Sequence, residues 1–303
     1  MAAGTLLAAK GVAGEPTPKR GRLRLGIMSD VYSRFPLEEA ARRLKADGFG
    51  SVVLVPTFAD VRFDWQKPDW AAATKIVQAL GKEGIRICSL FGYYNVIDPA
   101  PERRKLGEAR MDLLIENWKR FECPVIALET GTLNADSEWE ASPENGTEKA
   151  YLACRGAFEV LVKKAEKAKA VLAIEPYWKN VIGTAERAER LFRDLPSPSL
   201  RLVMDPCNYF RKEDLPKMKP MLGEIFRRLG EQIVLAHAKD VKAAAAEGTD
   251  LPAAGLGVLD YDTYLDLLTR TGRDFDLTLE HLGFEDMPRA RGFVQGKIAG
   301  IEG

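Results

Sequence analysis

From residue 23 onward the chain alternates between two hydrophobic rhythms. Short, near-continuous apolar runs rich in β-branched residues recur at 23–29 (LRLGIMS), 51–57 (SVVLVPT), 85–91 (IRICSLF) and 124–130 (PVIALET). They continue at 171–176 (VLAIEP), 200–206 (LRLVMDP), 232–240 (QIVLAHAKD) and 275–281 (FDLTLEH). Each is followed by a polar break and then by apolar residues at spacings of three and four, the mark of a helix with one buried face. The helices are expected at about 37–47, 69–84, 101–121, 144–169, 184–194, 215–230, 260–271 and 286–299. Strands that are apolar on both faces form parallel sheets covered by helices. Eight such units predict closure into a single-domain (β/α)8 TIM barrel over 23–303. A doubly wound sheet would place a glycine-rich turn after its first strand, and LGIMSDVYSRF contains no GxGxxG.

In a barrel, chemistry is built at the carboxyl ends of the strands. The last four strands end in Glu175 (AIEPYW), Asp205 (VMDPCN), His237 (LAHAKD) and Glu280 (TLEHL), spaced 30, 32 and 43 residues apart. One strand-end carboxylate ordinarily sits in a solvated turn, and a lone histidine is ordinarily a hydrogen-bonded core residue. Four compatible donors at equivalent places on adjacent strands, each about 4.8 Å from the next, are a different matter. Three carboxylates that close repel one another unless a cation lies between them. Three oxygen donors and one imidazole suit one divalent ion, Mn²⁺ foremost, then Co²⁺ or Mg²⁺, ahead of a thiolate-type Zn²⁺ site.

Composition changes this picture little. The chain has 303 residues, 46% hydrophobic and 29% charged, enough for a large core. Lys plus Arg and Asp plus Glu both total 44, so no net field favours nucleic acid or an anionic membrane. No apolar run is long enough to form a membrane helix. Cys88, Cys123, Cys154 and Cys207 show neither a CxxC nor a zinc-finger spacing and read as small buried hydrophobes. Residues 1–22 read as a flexible tail or the remnant of an export signal, since AAGTLLAAKGVAGEP has the apolar and cleavage-like parts without a preceding basic segment. Location is therefore read as cytoplasmic, or periplasmic or exported if that segment is the remnant of a twin-arginine leader.

The I-E-P of strand five, the D-P-x-N after strand six, the H-x-K-D of strand seven and the closing glutamate resemble the xylose isomerase-like TIM barrel superfamily, the sugar phosphate isomerases/epimerases. ALETGTLN with PENGTEKA, and GLGVLDY, are similar to further segments of that family. The resemblance implies that Glu175, Asp205, His237 and Glu280 bind one metal and that Glu175 and Glu280 are the catalytic acid/base pair. The implied reaction is sugar isomerisation or epimerisation, with proton abstraction next to a carbonyl through a metal-stabilised enediolate. The chain departs from ketose epimerases at Asn208, where they commonly place a histidine, and at WKNVI, where they carry a further glutamate. A lyase or dehydratase acting on a keto-sugar, keto-inositol or keto-glycoside is the alternative, because the same intermediate can expel a leaving group.

The substrate-binding candidates are Lys239, Asn208, Trp178, Glu129 and Tyr93, all at or just after strand ends; Tyr32 is placed near the mouth with them. Strand alternation puts Lys239 on the same face as His237 and His281 on the opposite face from Glu280, packed behind the barrel. Lysines and arginines such as Arg42, Arg43, Lys163, Lys164 and Lys167 read as solvated helix faces. The partner is expected to be a small carbohydrate or cyclic polyol, with homo-oligomerisation left open. An endonuclease IV-type DNA repair site needs a histidine-rich three-zinc cluster, and two histidines cannot supply it. A catalytically inactive carbohydrate-binding barrel would have no use for the intact four-donor set.

Overall fold

The computed structural model describes residues 19–244 and 248–302. The reading of a leader in residues 1–18 lies outside the described residues. At 19–22 the chain is already bonded to the barrel. Gly21 donates its N–H to Thr269 O at 2.8 Å, and Arg20 and Arg22 pair with Asp266 and Asp274.

The eight expected strands form as β1 (Leu23–Met28), β2 (Ser51–Leu54), β3 (Arg86–Phe91), β4 (Val125–Glu129), β5 (Val171–Glu175), β6 (Leu200–Met204), β7 (Ile233–Ala238) and β8 (Phe275–Leu279). All pair in parallel with their sequence neighbours, and β8 closes on β1 from Leu23↔Phe275 to Ile27↔Leu279, giving a closed (β/α)8 barrel in a single domain. Between and after them lie α1 (Leu37–Ala46), α2 (Trp70–Lys82), α3 (Pro101–Asn117), α4 (Glu148–Ala168), α5 (Ala185–Asp194), α6 (Met218–Leu229), α7 (Tyr261–Arg270) and α8 (Met287–Glu302). Side-chain oxygens of Asp69, Thr147, Thr184 and Asp260 cap α2, α4, α5 and α7, satisfying amides that the first helical turn leaves unpaired.

Helix ends differ from the expected boundaries where the sequence contains proline or a left-handed residue. A 3-10 turn holding Pro216 spans Lys212–Lys217, so α6 begins at Met218. Another 3-10 turn over Pro143–Gly146 delays α4 to Glu148. The end of α3 tightens into a 3-10 turn, and Glu122 at φ 54° stops it. Tyr32 is fully buried, donates to Asp47 Oδ2 at 2.7 Å and packs on Phe35, Phe49 and Phe284. It belongs to the packing between barrel and helices, so the placement of Tyr32 near the mouth is corrected.

Asp240 organises the loop after β7. Its carboxylate accepts N–H groups from Val241, Gly255 and Leu259, all at 2.9 Å. A Cβ at Gly257 would lie 2.4 Å from Asp240 Oδ1, so only glycine lets the GLGVLDY loop close over that carboxylate. A two-residue antiparallel ladder, Lys242–Ala243 with Thr249–Asp250, rises from the same loop. The four cysteines are buried and unpaired. No described helix is long and apolar enough to cross a membrane.

Candidate metal centre

Strand alternation builds the site. Ala127, Ala173, Val203 and Leu235 belong to the apolar layer inside the barrel. Two residues beyond each, on the same face, stand Glu129, Glu175, Asp205 and His237. Glu280 likewise follows Thr278, whose hydroxyl lies 3.9 Å from the buried Cys88 thiol. On β4, β5, β6 and β7 the inward face is thus apolar at the step before the mouth and turns polar there.

His237 Nδ1 lies 3.2 Å from Glu280 Oε2, 3.5 Å from Glu175 Oε1 and 4.0 Å from Asp205 Oδ2. One donor atom from each of the four residues falls within 4.8 Å of the others. Donors on opposite sides of a magnesium-sized ion are about 4 Å apart, so the set fits a divalent ion with small shifts. Both ring nitrogens of His237 are buried without a hydrogen-bond partner, as are Asp205 Oδ2 and Glu280 Oε1. Folded proteins rarely leave such atoms unsatisfied, and an ion at this point would engage one His237 nitrogen, Asp205 Oδ2 and Glu280 Oε1.

Lys239 stands in the same cluster. Its ammonium is 2.6 Å from Asp205 Oδ2, 2.7 Å from Glu280 Oε1 and 4.0 Å from Glu175 Oε1. These are close ion pairs without the alignment of hydrogen bonds. Three buried carboxylates against one ammonium leave two negative charges, which a divalent cation beside a neutral imidazole would balance.

Titration in the metal-free cluster follows from this crowding. Burial pushes the Asp205 carboxyl well up, against the pull of Lys239. Burial also opposes ionisation of Glu280 and Glu175, but Lys239 and His237 more than offset it at Glu280, as His237 does first at Glu175, and both carboxyls are lowered. Burial works against the charged forms of His237 and Lys239 too; the surrounding carboxylates win and hold both well above their ordinary values.

A cavity of about 500 Å³ opens at this end of the barrel. Of the four candidate ligands, Glu175 and Glu280 line it, whereas Asp205 and His237, each 1% exposed, do not. Lys239, Asn208, Glu129 and Tyr93 also line it. Asn208 Nδ2 donates to Glu175 Oε1 at 2.7 Å, and the Tyr93 hydroxyl donates to Glu175 Oε2 in a very short contact. Burial, then the Glu175 charge, raises the Tyr93 phenol well above its usual range, so it stays a donor.

Trp178 does not line this cavity. It lies with Tyr209 and Arg211 in a neighbouring depression, and Tyr177 takes its expected place. The strand stops at Glu175, and a turn closed by Asn180 N–H on Tyr177 O redirects the chain. His281 is likewise corrected. It is exposed and lines the mouth rather than packing behind the barrel. At φ 54°, two residues beyond the end of β8, it has left the strand whose alternation would have turned it away. Trp139, Asn180 and Asp30 also line the cavity. Trp139 and Asn180 sit in loops, where no periodic signal in the sequence marks them, whereas Asp30 lies in the 3-10 turn after β1, two residues beyond Met28 of the inner layer.

Glu129 is 2% exposed and neither carboxylate oxygen has a hydrogen-bond partner. Burial, then the charges of Glu138, Glu175 and Asp98, pushes its carboxyl up to about 9. The folded state therefore keeps a proton that the unfolded state releases near pH 4.5, and stability falls as pH rises from about 5 to about 9. Glu129→Gln removes that slope. The variant's advantage in Tm is expected to be small at pH 5 and to widen by several degrees, about 2–4 °C per kcal/mol, by pH 8. A thermal melt series over this range checks it, and a gap that stays constant would contradict it.

A family model for the xylose isomerase-like TIM barrel matches residues 40–296. Among curated proteins, none matches the chain by sequence. Solved structures share its fold at low identity. A xylose isomerase domain protein from Planctomyces limnophilus is 18% identical, with 95% of this chain and 99% of that one covered, at a TM-score of 0.67. A xylose isomerase-like TIM barrel protein from Mycobacterium smegmatis, solved in complex with magnesium, is 14% identical over 93% and 98%, at 0.65. The 3-keto-D-glucoside 4-epimerase of E. coli is 14% identical over 91% and 100%, at 0.66. With the matched segment running from α1 into α8 around a closed eight-stranded barrel, the chain belongs to the xylose isomerase-like TIM barrel family.

Proposed function

We propose that the protein is a divalent-metal-dependent sugar isomerase or epimerase that removes and returns a proton on the carbon next to a carbonyl. The observation that carries this reading is the division of labour among the four candidate ligands. Only Glu175 and Glu280 reach the cavity, while Asp205 and His237 stay beneath it. A divalent ion held by Glu175, Asp205, His237 and Glu280, Mn²⁺ in this proposal, would supply Lewis acidity to a carbonyl oxygen and its neighbouring hydroxyl.

The protein's own groups do the rest. Glu175 and Glu280 enter from β5 and β8, with two strands between them, and so approach a bound carbon from different sides. Asn208 and Tyr93 fix Glu175 by hydrogen bonds, and Lys239 fixes Glu280. An ionised carboxylate can take the proton and, once protonated, return it from the same side, while inversion needs the opposite carboxylate to enter the cycle carrying the proton that it delivers. The magnesium complex of the Mycobacterium smegmatis protein and the keto-glucoside epimerase activity of the E. coli protein support a metal and a sugar carbonyl.

The test is solvent-deuterium exchange. Metal-loaded protein in D₂O is incubated with ketoses, keto-inositols and keto-glycosides, and the C–H signal next to the carbonyl is followed by NMR. The expected result is exchange into at least one substrate. Loss of water from the substrate would instead indicate elimination, and no exchange by metal-loaded protein would overturn the proposal.

A further inference from the structure

We propose that Glu129 and Asn180 form a hydroxyl-reading subsite, which makes the ligand of this cavity a neutral polyol and not a phosphate ester. The inference rests on the proposed function for the reacting end of the substrate and concerns the part held away from it.

Asn180 is 4% exposed, and both its amide nitrogen and its amide oxygen are buried without a partner. Other buried asparagines nearby are spent on the fold. Asn95 bonds Thr132 O and the amides of Ile97 and Thr132. Asn145 bonds the Leu133 amide, Thr132 Oγ1 and Lys179 O. Asn180 makes no such side-chain bond, although its backbone is fixed. Its N–H donates to Tyr177 O at 2.7 Å, and the next residue, Val181, donates to Gly131 O at 2.8 Å. Glu129, on the neighbouring wall, has two partnerless oxygens. Both residues line the 500 Å³ cavity. Buried polar atoms that the fold does not use, held on a fixed backbone and facing a cavity, are what a ligand would satisfy.

The chemistry of these atoms selects the ligand. An amide both donates and accepts, and the two partnerless Glu129 oxygens accept. Hydroxyls do both as well. A phosphate only accepts, brings about two negative charges, and is ordinarily met by arginine. Among the described residues no arginine lines the cavity, and the lysine that does, Lys239, is already engaged by Asp205 and Glu280. The flanking aromatic walls, Trp139 and Tyr177, suit the C–H faces of a sugar.

The experiment titrates metal-loaded protein, by ligand-observed NMR, with D-fructose, D-tagatose, a keto-inositol and a methyl keto-glucoside. D-Fructose carrying a terminal phosphate is the charged comparison. At least one neutral compound should bind, with the phosphate ester about tenfold or more weaker than free fructose. Asn180→Ala and Glu129→Ala should each weaken the neutral ligand about tenfold, while Glu129→Gln, which keeps a neutral donor and acceptor, should stay within about threefold. Metal content should be equal in all, and Glu129→Ala should melt no lower than wild type, because that side chain supports no other group. The subsite is overturned if the phosphate ester binds as tightly as fructose, if both alanine variants bind like wild type, or if no neutral compound binds. Binding that follows this pattern without deuterium exchange would leave the subsite standing and remove the proposed reaction.

Discussion

Glu280→Gln is expected to slow deuterium exchange by about 10²–10⁴-fold, the usual contribution of a positioned acid or base. Glutamine keeps an oxygen toward the cluster and the volume of the side chain, but it cannot take a proton. Glu280 is the more sensitive of the pair to test. Burial opposes ionisation of its carboxyl, Lys239 and His237 outweigh it, and no hydrogen-bond donor such as Asn208 or Tyr93 is disturbed by the change. Glu175→Gln should produce a loss of the same order. It would also disturb Asn208 and Tyr93, both of which donate to that carboxylate. Elemental analysis of each variant separates the two roles of these residues. A variant that keeps its ion and loses its rate identifies an acid/base group. One that keeps both ion and rate would remove that residue from the proposed chemistry.

Lys239→Met should have the largest effect on stability. In the metal-free protein Lys239 and the protonated His237 ring share the cluster of buried carboxyl groups, with the Lys239 ammonium 2.6 Å from Asp205 and 2.7 Å from Glu280. Removing one partner of a buried ion pair costs about 3–5 kcal/mol, because the other charge is left buried and unpaired. For a chain of this size that lowers Tm by roughly 6–20 °C. Adding Mn²⁺ should narrow the gap between variant and wild type, since a bound cation restores positive charge to the same carboxylates. Melting curves with and without the ion check this. An unchanged Tm in the metal-free variant would mean that the lysine does not balance the cluster.

Where a side chain lies on a regular strand, its place was legible in the sequence. Glu129, Glu175, Asp205, His237 and Glu280 all fall at even steps from inward-facing residues of the barrel, and two-residue alternation is a strict geometric rule. Lys239 keeps the alternation for one further step. The rule loses its hold where the strand stops. Trp178 is expected at the mouth because it follows β5, and the alternation extended past Leu279 turns His281 away, but a turn and a positive φ redirect the chain at these points. Tyr32 follows β1 within a 3-10 turn that carries it toward Asp47 and the aromatic packing under α1. Asn180 and Trp139 reach the cavity from loops of individual shape, and no spacing in the sequence distinguishes them from other loop residues. Helix starts shifted for a related reason, since the 3-10 turns at Pro143–Gly146 and Lys212–Lys217 depend on local proline geometry more than on apolar periodicity.

In the proposed function Glu175, Asp205, His237 and Glu280 together hold one divalent ion. Metal content of the purified protein, compared with an Asp205→Ala, His237→Ala double variant, tests it most directly. About one equivalent of Mn²⁺, Co²⁺, Mg²⁺ or Zn²⁺ is expected in the wild type and none in the variant. A wild-type protein that retains no ion after reconstitution with each of the four would contradict it.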